Sequence, residues 1–135
     1  HLSRLRMADL ALDTAGWRDH TAVSDALWAG VPVLATTGTH FASRTSSSIL
    51  VAAGLGDLVV PDLDAYREFA ISFGKSKEHR IALRKRVEAC RQTTRLFDTR
   101  ASIWHLELAY REIWHRQRNG LPARPVDVEE LLYSG

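Results

Sequence analysis

Residues 20–35 read HTAVSDALWAGVPVLA, and this stretch decides the fold. Its first half repeats apolar residues at helical spacing, which predicts a helix over residues 20–29 with one buried face formed by Val23, Ala26 and Leu27. Gly30 can end that helix in a left-handed conformation. Residues 31–35 form a short apolar run that is typical of a buried parallel strand.

The alternation of helix and strand continues on both sides of this stretch. Upstream, a helix at residues 1–8 and a strand at 10–12 lead into a loop, in which Asp19 is placed to cap the next helix. Downstream, the pattern predicts a helix at about 41–53, a strand at 58–60, and helices at about 63–73, 76–92 and 99–118. The predicted fold class is therefore α/β with short parallel strands, followed by two long C-terminal helices.

Length and composition limit the domain organisation and the class of protein. The 135 residues leave room for one compact domain, and 45% hydrophobic with 25% charged residues is an ordinary globular balance. We assign residues 1–118 to this domain and residues 119–135, which contain two prolines, to an unstructured tail. No apolar stretch is long enough to cross a bilayer, so no membrane is expected as a partner. The single cysteine, Cys90, excludes an internal disulfide and agrees with a cytoplasmic location.

The excess positive charge is concentrated in the first of the two long helices. The net charge is +2, and Lys77, Arg80, Arg84 and Arg91 fall on one helical face. A nucleic-acid patch and a solvated face are the two interpretations. Because no aromatic side chains alternate with the basic ones, we favour the solvated face and expect no nucleic acid as a partner.

The candidate binding site lies where the helix at residue 20 begins. In open α/β sheets, ligands bind at the carboxyl ends of the strands, where loops meet helix starts. The backbone N–H groups and positive dipole end at His20 and Thr21 would hold an anion such as a diphosphate. Asp25 follows one turn later on the same face, where its carboxylate can accept hydrogen bonds from a ribose diol. Simple helix capping and a surface carboxylate are the alternative interpretations.

A series of ordered motifs extends along nearly the whole chain and resembles one known family. The motifs are HLSR at 1–4, ADL at 8–10, LDT at 12–14, HT at 20–21, DALWAG at 25–30, PVL at 32–34, FASR at 41–44, AGL at 53–55, Tyr66, LFDT at 96–99 and the Trp114 helix. They resemble the O-linked N-acetylglucosamine transferases, especially the bacterial ones.

The resemblance implies an architecture and an activity. These enzymes have a GT-B architecture of two Rossmann-like lobes, and this chain would be the latter half of the second, nucleotide-sugar-binding lobe. The family transfers N-acetylglucosamine from UDP-N-acetylglucosamine to serine or threonine of proteins without a bound metal or other cofactor. The implied partners are the nucleotide sugar, a first lobe upstream, and an acceptor protein recruited by upstream helical repeats of the TPR kind. The chain alone is expected to be inactive.

Carried over by position, the resemblance also implies roles for five residues. His1 would lie against the uracil ring and Arg4 would reach the uracil edge. His20 and Thr21 would contact the diphosphate, and Asp25 the ribose. Solvent-facing helix positions are the alternative for His1 and Arg4, and no catalytic base is identified.

The sequence departs from the family pattern at the helix start and in the second loop. Ala22 stands where the family usually has a second Thr, and Asp19 where it has a small residue. Residues 37–40 read TGTH in place of PGET. These changes leave open another donor, such as GDP-fucose or UDP-glucose, and a non-catalytic module that has lost the phosphate contacts. For Arg44 we expect a structural ion pair.

The remaining candidates for chemistry have structural interpretations. Six histidines lie singly without metal-ligand spacing, so no zinc site is expected. Residues 46–48 are three serines within a predicted helix, which indicates close helix packing. Cys90 is expected to be buried. The four tryptophans are expected in the core or at a contact between lobes, with Trp17 also able to line the donor site.

Overall fold

The computed structural model describes residues 1–14 and 20–132, which form two compact units, residues 1–97 and residues 98–135. The predicted cap Asp19 and the predicted donor-site residue Trp17 lie outside the described residues. Dividing the chain at residue 118, into a lobe fragment and a tail, stays a prediction.

The first unit alternates strands and helices as expected. Its strands are β1 (Ala11–Leu12), β2 (Val33–Thr36) and β3 (Val59–Val60). Its helices are α1 (Leu2–Leu5), α2 (His20–Trp28), α3 (Phe41–Ala52), α4 (Leu63–Lys75) and α5 (Lys77–Thr93), with short 3-10 turns at Gly56–Leu58 and Arg95–Phe97. The sheet has the order β1-β2-β3 and is parallel, with Ala11 opposite Val33 and Ala35 opposite Val59. The predicted α/β class with short parallel strands is confirmed.

Two glycines end helices α2 and α3, and for Gly30 this is the predicted role. Gly30 has φ +81° and Gly54 has φ +70°, a conformation that side chains with a Cβ rarely adopt. An added Cβ at Gly30 would also lie 3.1 Å from Cγ of Glu88. Each helix therefore stops at a fixed residue, and the chain turns directly into the next segment.

The core lies around β2, the central strand, whose four residues are all buried. Helix α2 packs on it through Val23, Ala26 and Leu27, as predicted. The remaining helices contribute further buried side chains, namely Leu50 from α3, Phe73 from α4, and Leu83, Val87 and Cys90 from α5.

The basic face of α5 is not simply solvated, and that expectation is wrong. Arg80 donates to the Gly74 carbonyl at 2.7 Å and Arg91 to the Trp28 carbonyl at 2.8 Å. Arg84 donates to the carbonyls of Arg6 and Ala8. Guanidinium groups present several donors in a planar fork, so they suit carbonyls at the ends of other segments. Three of the four predicted basic residues thus connect α5 to its neighbours.

Helix α5 also carries Arg86 and Cys90, two of the groups whose pKa values are shifted, and Arg86 pairs with a third, Asp57 of the Gly56–Leu58 turn. Arg86 forms a bidentate ion pair with Asp57 and donates to the Gly54 carbonyl at 3.1 Å. Its hydrogen bonds lower the pKa of the Asp57 carboxyl, and that pairing raises the pKa of Arg86. Burial raises the pKa of the Cys90 thiol, which lies in the core as expected. Cys90 is therefore a packing residue that is protonated at neutral pH.

The second unit consists of α6 (Thr99–Arg118) and α7 (Val128–Leu132). The Asp98 carboxylate caps α6 by accepting from the Ala101 N–H at 3.0 Å. The tail was expected to be unstructured, but it contains α7, and the Arg116 guanidinium donates to the Pro122 carbonyl at 2.6 Å. A charged donor at the end of α6 thus holds the returning chain.

Several large apolar side chains are exposed. On α6 these are Ile103, Leu106, Tyr110 and Ile113, each more than half exposed. Trp28, Trp104 and Trp114 are 45%, 49% and 64% exposed, so the expectation of a core position is wrong for all three. A contact between lobes stays a prediction for them.

None of the helices within the described residues is both long and apolar enough to span a membrane.

Two of the three serines in α3 pack as predicted, but one of them leaves a buried hydroxyl without a partner. Ser46 is fully buried, and its Oγ makes no hydrogen bond to any described residue. A buried hydroxyl without a partner destabilises the fold, and alanine has the higher helix propensity. We therefore expect Ser46→Ala to raise the free energy of unfolding by about 0.5–1 kcal/mol, measured by urea denaturation.

The neighbouring Ser47 provides the control for this substitution. Its Oγ donates to the Arg44 carbonyl at 2.9 Å and lies 3.4 Å from the Thr37 hydroxyl. Ser47→Ala is expected to lower the free energy of unfolding by about 1 kcal/mol, because it removes hydrogen bonds that exist. Equal effects of the two substitutions would contradict the conclusion that the Ser46 hydroxyl lacks a hydrogen-bond partner while the Ser47 hydroxyl has one.

Candidate functional site

The candidate site is built on the first two turns of α2. Strand β1 runs parallel to β2 and ends at Leu12, so α2 begins at the carboxyl edge of the sheet. The first-turn N–H groups of a helix have no partner within the helix, and they carry the positive end of its dipole. No acidic residue lies in the first turn of α2. This end of the helix is therefore electrostatically suited to an anion.

Two of the predicted site residues meet beside α2. Nε2 of His1, which precedes α1, lies 3.4 Å from Oδ2 of Asp25 in the second turn of α2. The two side chains are 60% and 37% exposed, so both are open to a ligand while they touch. The structure thus places the predicted uracil-side and ribose-side groups next to each other, although 24 residues separate them in sequence.

The other three predicted site residues are exposed on the same two helices. Arg4 lies on α1, one turn after His1. His20 and Thr21 are the first two residues of α2, and both side chains are exposed. Contact between any of these residues and a nucleotide stays a prediction. Their common location on α1 and the first half of α2 is what the structure adds.

Two pockets flank the start of α2. The first, which we call the β1 pocket, has a volume of about 270 Å³ and lies between the end of β1 and the first turns of α2. Its lining includes Asp13, Thr14 and Ala22. Ala22, the position that departs from the family pattern, therefore faces an open space in which a Thr hydroxyl would be accessible to a ligand.

The second pocket, the α3 pocket, has a volume of about 510 Å³. It is lined by His20 from α2 and by Phe41, Arg44, Thr45, Ser48 and Ile49 from α3. Arg44 was expected to form a structural ion pair, and this expectation is wrong for the described residues, since no acidic group there pairs with it. Its guanidinium instead contributes positive charge to a pocket that it shares with His20.

The second loop, residues 37–40, lies at the carboxyl end of β2 beside the end of β3. It borders a pocket of about 610 Å³ whose lining also includes Pro61 and Asp62. A Cβ added at Gly38 would overlap the side chain of Ser43, so this position requires glycine. The Ser43 hydroxyl accepts from the His40 N–H at 3.0 Å, which fixes the entry into α3.

Sequence reasoning missed a contact that holds the end of β1. The Tyr66 hydroxyl, from α4, donates to the Asp13 carbonyl at 2.9 Å across 53 residues of sequence. Asp13 directly follows the last residue of β1, Leu12. Tyr66 therefore fixes the point where the chain leaves the sheet toward the site. The resemblance included Tyr66, but no local pattern in the sequence gave it this contact.

The described residues of this region contain no candidate cluster of metal ligands. Among residues 1–14 and 20–132, no group of three His, Cys, Asp or Glu side chains is close enough to hold a metal ion. The charged groups that the described site offers to a ligand are the α2 start, His1, Arg4, His20, Asp25 and Arg44.

Comparison with known proteins identifies the family to which this chain is similar. The model of the family described as Glycosyl transferase family 41 matches residues 1–106. The chain is 37% identical over 121 residues to a probable UDP-N-acetylglucosamine–peptide N-acetylglucosaminyltransferase SEC of Arabidopsis thaliana, covering 89% of this chain and 12% of that protein. It is 31% identical over 122 residues to the UDP-N-acetylglucosamine–peptide N-acetylglucosaminyltransferase of Caenorhabditis elegans, covering 90% and 11%.

A solved structure gives the same result for the fold. A mutant of the Thermobaculum terrenum O-GlcNAc transferase superposes with a TM-score of 0.72 at 32% identity, covering 84% of this chain and 22% of that one. The expected GT-B-type α/β fold is confirmed. The chain is much shorter than the two relatives, since the matched region covers only 12% and 11% of their lengths. Since the family model matches well over half of its residues, the chain belongs to glycosyl transferase family 41.

Proposed function

We propose that this chain forms the UDP-binding part of a protein O-glycosyltransferase, which transfers N-acetylglucosamine from UDP-N-acetylglucosamine to serine or threonine hydroxyls. The observation that carries the proposal is the meeting of His1 and Asp25, at 3.4 Å, one turn beyond the N-terminus of α2. It supports an arrangement in which the groups proposed for the base, the ribose and the diphosphate follow one another in the order of these parts along UDP.

Each part of this surface has a chemical task in the proposal. The Asp25 carboxylate accepts hydrogen bonds from the ribose hydroxyls, and His1 and Arg4 lie on the base side. The N–H groups at His20 and Thr21 hold the diphosphate. As the bond to the sugar breaks, negative charge grows on the departing UDP, and fixed donors at the helix start stabilise that charge. The proposal includes no metal ion, because these donors and the Thr21 hydroxyl supply the phosphate contacts.

The remaining components of the reaction lie outside this chain in the proposal. A first lobe closes the cleft and supplies the catalytic base, and helical repeats recruit the acceptor protein. The relatives are named as peptide N-acetylglucosaminyltransferases, which supports a protein acceptor and this donor sugar. The single cysteine supports a cytoplasmic location. The chain by itself is expected to bind nucleotide without turnover.

A calorimetric titration of the full-length protein with UDP tests the proposal. UDP is expected to bind, and GDP is expected to compete at least about tenfold less well, since only the base differs between them. A preference for GDP would replace the proposed donor by a GDP-sugar. Radiolabel transfer from UDP-N-acetylglucosamine or UDP-glucose to acceptor protein then identifies the sugar.

One observation favours a second candidate function, a non-catalytic binding module. Ala22 lines the β1 pocket at the position where a Thr hydroxyl would contribute a phosphate donor. A full-length protein that binds neither UDP nor GDP would support this module and overturn the transferase proposal.

A further inference from the structure

Helix α1 and His1, the residue before it, provide two of the five predicted site residues, but the helix has little stability of its own. It is four residues long, and His1 at its start makes no side-chain capping hydrogen bond. An isolated helix of this length does not persist in water, because nucleation is unfavourable. Its position therefore depends on contacts with the rest of the first unit.

Those contacts hold α1 at three points. Leu2 and Leu5 are half-buried and pack against the core cluster. At the N-terminal end, His1 lies 3.4 Å from Asp25. At the other end, the Arg84 guanidinium of α5 donates to the Ala8 carbonyl at 2.5 Å and, through both terminal nitrogens, to the Arg6 carbonyl at 3.3 Å.

The Arg84 contact is stronger than the apolar contacts of Leu2 and Leu5, and unlike them it depends on the direction of its hydrogen bonds. Hydrogen bonds from a charged donor are stronger than neutral ones. The contact with the Ala8 carbonyl is also part-buried, so water competes less for it than for the exposed contacts with the Arg6 carbonyl. Arg6 is the C-terminal cap of α1, where carbonyls lack partners within the helix and a cation is favoured by the helix dipole. The apolar contacts of Leu2 and Leu5 are non-directional, whereas the bidentate fork sets the angle at which α1 leaves the core.

We propose that Arg84 is a positioning residue for the base side of the nucleotide site, acting by holding the C-terminal end of α1 so that His1 and Arg4 face the ligand. This inference rests on the proposed function. Arg84 itself touches no nucleotide, and its effect reaches the ligand only through α1. Loss of Arg84 should therefore weaken recognition of the uracil and leave the diphosphate contacts at α2 intact.

The same helix offers a matched control. Arg80, four residues before Arg84, also donates to a main-chain carbonyl, that of Gly74 at 2.7 Å, at the end of α4 and not on α1. Arg80→Met and Arg84→Met remove the same chemistry from the same helix, and only the second releases α1. Arg84→Lys keeps the charge and one donor while losing the fork.

The experiment measures UDP affinity by calorimetry, and inorganic pyrophosphate affinity by competition, in the full-length protein and these three variants. Arg84→Met is expected to bind UDP about tenfold more weakly, with pyrophosphate affinity unchanged within about twofold. Arg84→Lys should fall between Arg84→Met and the wild type, and Arg80→Met should match the wild type. If Arg84→Met does not fold, the same comparison between Arg84→Lys and Arg80→Met decides the matter.

Three results would overturn the inference: unchanged UDP affinity in the Arg84 variants, an equal loss of UDP and pyrophosphate affinity, or the same loss in Arg80→Met. All three require a wild type that binds UDP, so they leave the proposed function standing. A wild type that does not bind UDP overturns the proposed function itself, and this inference with it.

Discussion

Asp25→Ala is expected to weaken UDP binding to the full-length protein by about 10- to 100-fold, because hydrogen bonds from a ribose diol to a carboxylate are charge-assisted. Asp25 is half-buried in the second turn of α2, and its carboxylate is 3.4 Å from the His1 imidazole. The substitution thus removes the proposed ribose acceptor and the contact with His1, the residue before α1. Calorimetric titration with UDP measures the combined loss.

Two companion variants separate these contributions. Asp25→Asn keeps the size of the side chain and one oxygen acceptor, so an intermediate affinity is expected. Ser24→Ala changes the preceding half-buried residue of α2, which points from a different face of the helix, and should bind UDP like the wild type. Unchanged affinity in Asp25→Ala would remove the ribose role, and with it the main physical support for the donor site.

The fold was predictable because its signals are local. Gly30 and Gly54 end α2 and α3 at positive φ, and Asp62 caps α4 by accepting from the Ala65 N–H at 2.8 Å. Each of these devices acts within a few residues of its position, so each can be recognised without knowing the tertiary structure. Apolar periodicity then identified the buried face of α2, and the structure buries the same residues.

The parts that sequence reasoning missed depend on packing between distant segments. Arg84 reaches the Ala8 carbonyl across 76 residues, and Tyr66 reaches the Asp13 carbonyl across 53. A basic helix face looks the same in sequence whether its guanidinium groups meet water or carbonyls, which is why the solvated interpretation of α5 failed. The prediction for Arg44 was wrong in the opposite sense: an ion pair was expected, but no acidic side chain among the described residues pairs with it.

The candidate site combines both kinds of information. The helix start at His20 and the spacing from Thr21 to Asp25 follow from local pattern. The proximity of His1 to Asp25 required either the family resemblance or the structure, since α1 and α2 are separated by β1 and by residues 15–19. Recognition of the nucleotide therefore depends on how firmly α2 and α1 are held against the core.

Leu27→Ala is the substitution expected to disturb that support most. Leu27 is fully buried on the inner face of α2, three residues before Gly30, and it belongs to the core cluster around β2. Removing its branched end leaves a cavity under the helix that carries His20, Thr21 and Asp25. We expect the free energy of unfolding to fall by about 2–5 kcal/mol in urea denaturation. Val51→Ala, on the 64% exposed Val51 of α3, is the control and should change it by less than about 0.5 kcal/mol.

Ligand binding connects this stability effect to the proposed function. A nucleotide that binds only the folded form stabilises it by about 2.7 kcal/mol at a concentration of 100 times Kd. Since Leu27 is on the core-facing side of α2 and does not contact the ligand in the proposal, the folded fraction of Leu27→Ala should still bind UDP, and excess UDP should restore a large part of the lost stability. GDP at the same concentration should restore less, because it binds more weakly in the proposal. A destabilised variant whose unfolding midpoint did not respond to UDP, in a protein whose wild type binds UDP, would show that its folded form has lost the nucleotide site, and would contradict the expectation that Leu27 acts on stability alone.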